Sequence, residues 1–98
     1  MTQVIELETQ EALDALIASG ESVVVDFYAE WCGPCKILGK TINETEGLGK
    51  IYKANVEVAT FPGVRSIPTV IRFEGGEKVA SHVGLLNSEE LKSFVNNG

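Results

Sequence analysis

Both cysteines of the chain fall in one five-residue stretch, Trp31-Cys32-Gly33-Pro34-Cys35, and the segments on either side restrict what that stretch can become. Upstream, Val23-Val24-Val25-Asp26-Phe27-Tyr28 is β-branched and aromatic and apolar on nearly every residue. That pattern predicts a central strand of an α/β sheet, covered on both faces. Downstream, Lys36-Ile37-Leu38 opens a helical spacing of apolar residues. The helix is predicted to reach about Glu46 and stop at Gly47, with Ile37, Leu38 and Ile42 facing inward. The cysteine pair therefore sits where a strand turns into a helix, with Cys32 at or beside the first helical turn.

Position and spacing both point to redox chemistry. Backbone N–H groups in a first helical turn lack intrahelical partners and the macrodipole favours negative charge, so a thiolate is stabilised there. The thiolate is the reactive form of cysteine. Two intervening residues let the sulfurs meet across one turn, so a disulfide can close with little backbone movement. Such a bridge staples little: the chain-entropy estimate is roughly 2 kcal/mol for a loop of about four residues, against roughly 3 kcal/mol for about fifteen. A bond that adds so little to folding is there to be made and broken. Pro34 suits the first turn and stiffens the loop. Gly33 leaves room for another backbone to approach Cys32.

Size and charge exclude several alternatives. The 98 residues make one domain, 1–98, able to bury a core without staples. A net charge of −6, from 14 acidic and 8 basic residues, argues against a nucleic-acid backbone as partner and fits a monomer. No apolar run reaches membrane-spanning length, and Met1-Thr2-Gln3-Val4-Ile5-Glu6 has no basic segment leading into an apolar one. The expectation is a cytoplasmic chain whose mature form starts near Met1. In a reducing compartment a Cys-x-x-Cys pair is catalytic or metal-binding rather than structural.

The rest of the chain alternates strands and helices. Gln3 to Leu7 reads as a short strand. Thr9 caps a helix from about Gln10 to Ser19, with Ala12, Leu13, Leu16 and Ile17 as its apolar stripe and Gly20 as its end. Ile51 to Val58 reads as a strand. The stretch 59–65, with Pro62 and Gly63, is predicted to be a tight turn or a single helical turn. Val70 to Phe73 and Lys78 to Val83 are strands joined by Glu74-Gly75-Gly76-Glu77, whose Gly-Gly fits a primed hairpin turn. Asn87-Ser88-Glu89-Glu90 reads as a capping box for a last helix with Leu91, Phe94 and Val95 inward. The final Asn-Asn-Gly is expected to fray.

Trp31-Cys32-Gly33-Pro34-Cys35, preceded by Asp26-Phe27-Tyr28-Ala29-Glu30 and followed by Lys36, resembles the active site of the thioredoxin family. Ser66-Ile67-Pro68-Thr69 and Gly84 are further matches, and the likeness spans nearly the whole chain. The resemblance implies a thioredoxin fold: a central mixed sheet of about five strands flanked by helices, with the third helix shortened or missing at 59–65. It implies a dithiol–disulfide oxidoreductase in which Cys32 attacks a client disulfide and Cys35 resolves the adduct. No cofactor is bound; the Cys32–Cys35 disulfide is the redox group, and the implied partners are client proteins and a thioredoxin reductase.

The same resemblance assigns further roles. Pro68 in the cis form faces the cysteines across the substrate groove, Ile67 offers its backbone to an extended substrate segment and Gly84 borders the groove, beside Gly33 and Pro34 of the cysteine loop. Trp31 is either a contact beside the groove or a half-buried packing residue, and the preference of interfaces for tryptophan favours the contact. Taken alone, Pro68 reads as an ordinary trans proline at a strand start. Asp26 is either a strand-end carboxylate reaching water or a buried carboxyl of raised pKa beneath the cysteines; the family pattern selects the second. Lys53 is either a partner of that carboxyl, as the family places it, or a solvated edge lysine. Family members often carry a proline where Lys40 stands, so a straighter helix is expected here.

Two other classes are weaker. The cysteines offer two zinc ligands where a structural site needs four, and His82, the one histidine, falls on a predicted strand. A purely non-enzymatic binding module leaves the intact cysteine pair unexplained.

Overall fold

The computed structural model describes residues 1–96. The elements run β1 (Thr2–Glu6), α1 (Gln10–Ala18), β2 (Val23–Tyr28), α2 (Gly33–Glu44), β3 (Gly49–Asn55), β4 (Thr69–Glu74), β5 (Glu77–Val83) and α3 (Ser88–Asn96). The strands form one five-stranded sheet in the order β1-β3-β2-β4-β5. β1 and β2 pair with β3 in parallel, while β4 pairs antiparallel with β2 and with β5. This is the mixed sheet flanked by helices that the resemblance implies.

The apolar run of β2 explains its place. Val23 to Phe27 are all buried, because the strand has a neighbour on each edge and a hydrophobic cluster on each face. On one face Val23, Val25, Phe27, Ile71 and Phe73 pack against Leu13 of α1. On the other, Val24, Ile51 and Val70 pack against Leu38 and Ile42 of α2 and Leu91 of α3. Strand alternation sends successive residues to opposite sides, so Asp26 and Arg72 share the second face.

Local signals act largely as expected. Thr9 caps α1 by accepting a hydrogen bond from the Ala12 amide at 3.0 Å. Of the predicted α1 stripe, Leu13 is fully buried and Leu16 and Ile17 are half-buried, but Ala12 points outward. Asn87 and Glu90 exchange hydrogen bonds of 2.8 and 2.9 Å as a capping box. Gly75 and Gly76 both have positive φ, 63° and 85°, as a primed turn between β4 and β5 demands. Of the Asn-Asn-Gly expected to fray, Asn96 is the last residue of α3, and 97 and 98 lie outside the described residues.

Several boundaries differ from expectation, and so does the facing of one residue. α2 ends at Glu44 rather than Glu46, because Thr45 turns extended and is buried, its hydroxyl 2.9 Å from that of Ser88. β3 starts earlier and stops at Asn55, where the Asn55 carbonyl takes the amides of Val58 and Ala59 in a turn. Ile37, expected inward, is 56% exposed, since the α2 side facing the sheet is taken by Cys35, Leu38 and Ile42.

The chain does have a third helix, α3, so the expectation of a missing one applies only to the crossover between β3 and β4. That segment, 56–68, contains turns alone. It is seated on α1 by the Gln10 carboxamide, which donates to the Thr60 carbonyl at 3.0 Å and accepts from the Thr60 amide at 2.9 Å. Phe61 stacks edge-on against Phe73, with centroids 5.0 Å apart.

Candidate active site

Topology gathers the site at one end of the sheet. The parallel strand β2 ends at Tyr28 and leads into the cysteine loop, while the antiparallel β4 begins there with Thr69 and β5 finishes there with Val83. The loops carrying Cys32, Pro68 and Gly84 therefore converge. The Gly84 amide donates to the Pro68 carbonyl at 2.9 Å, and the Ile67–Pro68 peptide is cis, as the family pattern implied and the proline alone did not. Thr69 Oγ1 donates to the Ser66 carbonyl and closes the turn before β4. Gly84 has a φ of 100°, a conformation that L side chains rarely adopt.

Cys32 is the N-cap of α2, with Pro34 in the first turn. Its Sγ accepts a hydrogen bond from the Cys35 amide at 3.2 Å and lies 3.9 Å from the Ile67 carbonyl oxygen. The two cysteines are joined as a disulfide, their Cα atoms 5.2 Å apart. A backbone amide and a helix tip at that position favour an ionised sulfur once the bridge is reduced. In the disulfide the two cysteines are nearly alike, at 6% and 4% exposure, so the asymmetry lies in their partners and not in their accessibility.

Around Cys32 the surface is apolar and open. Trp31 is 70% exposed, with its indole N–H donating to Glu57 Oε2 at 3.3 Å. Gly33 and Pro34 are exposed and Ile67 is half-buried against the cysteines. Cys35 lies on the other side of the bridge, where it lines a cleft of about 600 Å³ with Tyr28, Lys36, Gly39, Lys40 and Lys53. That cleft includes none of Ile67, Pro68 or Gly84.

Asp26 is fully buried, and neither carboxylate oxygen has a hydrogen-bond partner among the described residues. Loss of solvation pushes its pKa from 3.8 up to about 7, against an opposing pull from Lys53 and with a further push from Glu6. Lys53 is its register partner on β3, half-buried, with Nζ 4.3 Å from the centre of the Tyr28 ring. The structure thus sets Asp26 beside Lys53, which shares a cleft with Cys35, and places Trp31, Gly33 and Pro34 at the surface beside Cys32, with Ile67 and Gly84 half-buried and Pro68 buried beneath them. His82 sits apart on β5, its Nε2 3.0 Å from the Leu85 carbonyl oxygen. Among the described residues, no three His, Cys, Asp or Glu side chains converge as a metal site requires.

Sequence reasoning missed Tyr28, Glu6 and Glu57. The Tyr28 hydroxyl donates to Glu6 Oε1 at 2.8 Å, and loss of solvation, together with this contact, pushes the phenol well above its usual range. The alternation of β1 put Glu6 on one face, but only the parallel register with β3 shows which residues it meets.

A family model described as Thioredoxin matches residues 3–97. The chain is 41% identical to a thioredoxin from Mycoplasmoides gallisepticum, covering 85% of this chain and 90% of that one. It is 37% identical to a probable thioredoxin-2 from Caenorhabditis elegans, covering 88% of this chain but 65% of that protein's length. Among solved structures, a mutant thioredoxin from Halobacterium salinarum superimposes with a TM-score of 0.76 at 31% identity, covering 95% of this chain and 88% of that one.

Proposed function

The chain belongs to the thioredoxin family of dithiol–disulfide oxidoreductases, and we propose that it works as a reductant of client-protein disulfides, with Cys32 as nucleophile and Cys35 as resolving thiol. The Cys32 thiolate attacks one client sulfur, forms a mixed disulfide and breaks the client bond, whose second sulfur leaves as a thiolate and takes a proton. Cys35 gives its proton to Asp26 and attacks the Cys32 sulfur. The Cys32–Cys35 bond forms, the client leaves fully reduced, and two electrons have passed to it.

The observation that carries this reading is the Cys35 amide pointing at Cys32 Sγ at the tip of α2, which favours a leaving or attacking thiolate at that atom. Asp26, titrating at about 7, can accept and return a proton near neutral pH, and Lys53 moderates its charge. Trp31, Gly33, Pro34, Ile67, Pro68 and Gly84 form the client groove. The carbonyl and amide of Ile67 are available to pair with an extended client segment as an added strand.

The oxidised protein is returned to the dithiol by a thioredoxin reductase, either NADPH-dependent or ferredoxin-linked. Its acidic charge and ordinary size suit a cytoplasmic monomer, and no described helix is long and apolar enough to cross a membrane. The test is the reduction of insulin disulfides by dithiothreitol. The protein accelerates it and Cys32→Ser does not; wild-type rates no higher than the variant's overturn the reading. Supplying each reductase type to the oxidised protein identifies which one renews it.

A further inference from the structure

Three charged groups lie in a row across the sheet at its active-site end. Parallel register sets Glu6 of β1 beside Lys53 of β3, and Lys53 beside Asp26 of β2. Register partners project to the same face, so the order from the exposed edge to the interior is carboxylate, ammonium, carboxylate. Tyr28, two residues beyond Asp26 and on the same face, ties the outer two together. Its hydroxyl donates to Glu6 Oε1 at 2.8 Å and its ring carries Lys53 Nζ at 4.3 Å. Among the described residues neither carboxylate closes a contact ion pair with Lys53, so the coupling runs through space and across the Tyr28 ring.

We propose that Glu6 is a positioning residue for proton exchange at Asp26, acting by sharing the charge of Lys53 and by holding Tyr28 against it. The inference rests on the proton-accepting role proposed above for Asp26. One ammonium between two carboxylates neutralises one of them. With Glu6 in place, Lys53 is already partly balanced, and the buried carboxyl keeps its proton until near neutral pH. Without Glu6, the full attraction of Lys53 falls on Asp26 and favours its ionised form. The directions agree: burial raises the Asp26 pKa most, Lys53 lowers it and Glu6 raises it.

The surroundings leave few competitors. From β4 the register partner of Asp26 is Val70, which brings no charge. Glu30 acts on Tyr28, and α2 contributes Lys36, Lys40 and Glu44 to the cleft that Lys53 and Cys35 share. Glu6 is exposed at the sheet edge, so replacing it leaves the hydrophobic clusters untouched.

The experiment is a carbon-13 NMR titration of the Asp26 carboxyl in the wild type and in Glu6→Gln, paired with the pH profile of mixed-disulfide resolution. The midpoint is expected to fall by roughly half a pH unit, the size of a charge interaction over roughly 10 Å at intermediate dielectric. The resolution profile moves with it. Glu6→Asp restores most of the shift, and Tyr28→Phe, which keeps the Glu6 charge and the ring, moves the midpoint less than Glu6→Gln. An unmoved midpoint in Glu6→Gln overturns the proposal, as does a moved midpoint with an unmoved resolution profile. Failure of the oxidoreductase reading shows itself separately, as wild-type insulin reduction no faster than that of Cys32→Ser.

Discussion

Two charged residues are buried on the same face of the sheet, and their surroundings are opposites. Arg72 on β4 is held at every turn: Nη1 donates to the Phe94 carbonyl at 2.7 Å, the guanidinium lies 5.9 Å from the Phe94 ring centre, and Nε sits 3.2 Å from Glu74 Oε2 in an ion pair without hydrogen-bond geometry. Asp26 on β2 has no hydrogen bond among the described residues and a lysine at a distance. A buried charge with partners fastens α3 to the sheet. One without partners is costly to ionise, and that cost is what keeps a proton available. The far end of the face is built for stability and the near end for chemistry.

The largest test of that contrast is the pH dependence of stability. Asp26 ionises near 3.8 in the unfolded chain and at about 7 in the fold, so the folded state binds the extra proton between those values. Stability therefore falls as pH rises through that window, and the loss is complete above about 7, amounting to about 4 kcal/mol. In Asp26→Asn this contribution vanishes: the gap between variant and wild type in urea denaturation moves in the variant's favour by about that amount between acid and mildly alkaline pH. A gap that stays flat with pH breaks the comparison. Next, Arg72→Met is expected to cost about 2 kcal/mol by orphaning the Phe94 carbonyl, with no such slope in the same titration.

Smaller effects sharpen the contrast. Lys53→Met removes the cation that opposes burial at Asp26, and the Asp26 NMR midpoint should rise by roughly one pH unit. Ile37→Ser changes the stability read from urea denaturation by less than about 0.5 kcal/mol, because that side chain, despite its place in the pattern, is largely exposed.

What the sequence makes legible follows the same division. The cysteine loop, the central strand and both helix caps are readable because each is a local signal: a motif, a β-branched run, a Thr or Asn with its partner three residues on. Ile37 is misplaced because apolar spacing on a helix does not say which of two adjacent stripes meets the sheet. The end of α2 is misjudged because Thr45 answers to Ser88, far along the chain. Glu6, Tyr28 and Glu57 escape notice for that reason too. Their contacts depend on strand register and on the path of a turn, which no window of residues contains. The isomer of Ile67–Pro68 comes from family likeness, since a lone proline argues the other way.

The crossover without a helix has its own consequence. Gln10 offers Thr60 one donor and one acceptor, as a neighbouring strand would, so a single carboxamide serves as a rivet beside the packing of Ala59, Phe61 and Val64 on the core. Beyond that rivet, Pro62 and Gly63 are exposed and lie away from the cysteines in the chain's layout. Extra residues spliced in there lengthen an exposed bend beside α1, where Pro62 and Gly63 border a hollow with Gln10, Asp14 and Ile17.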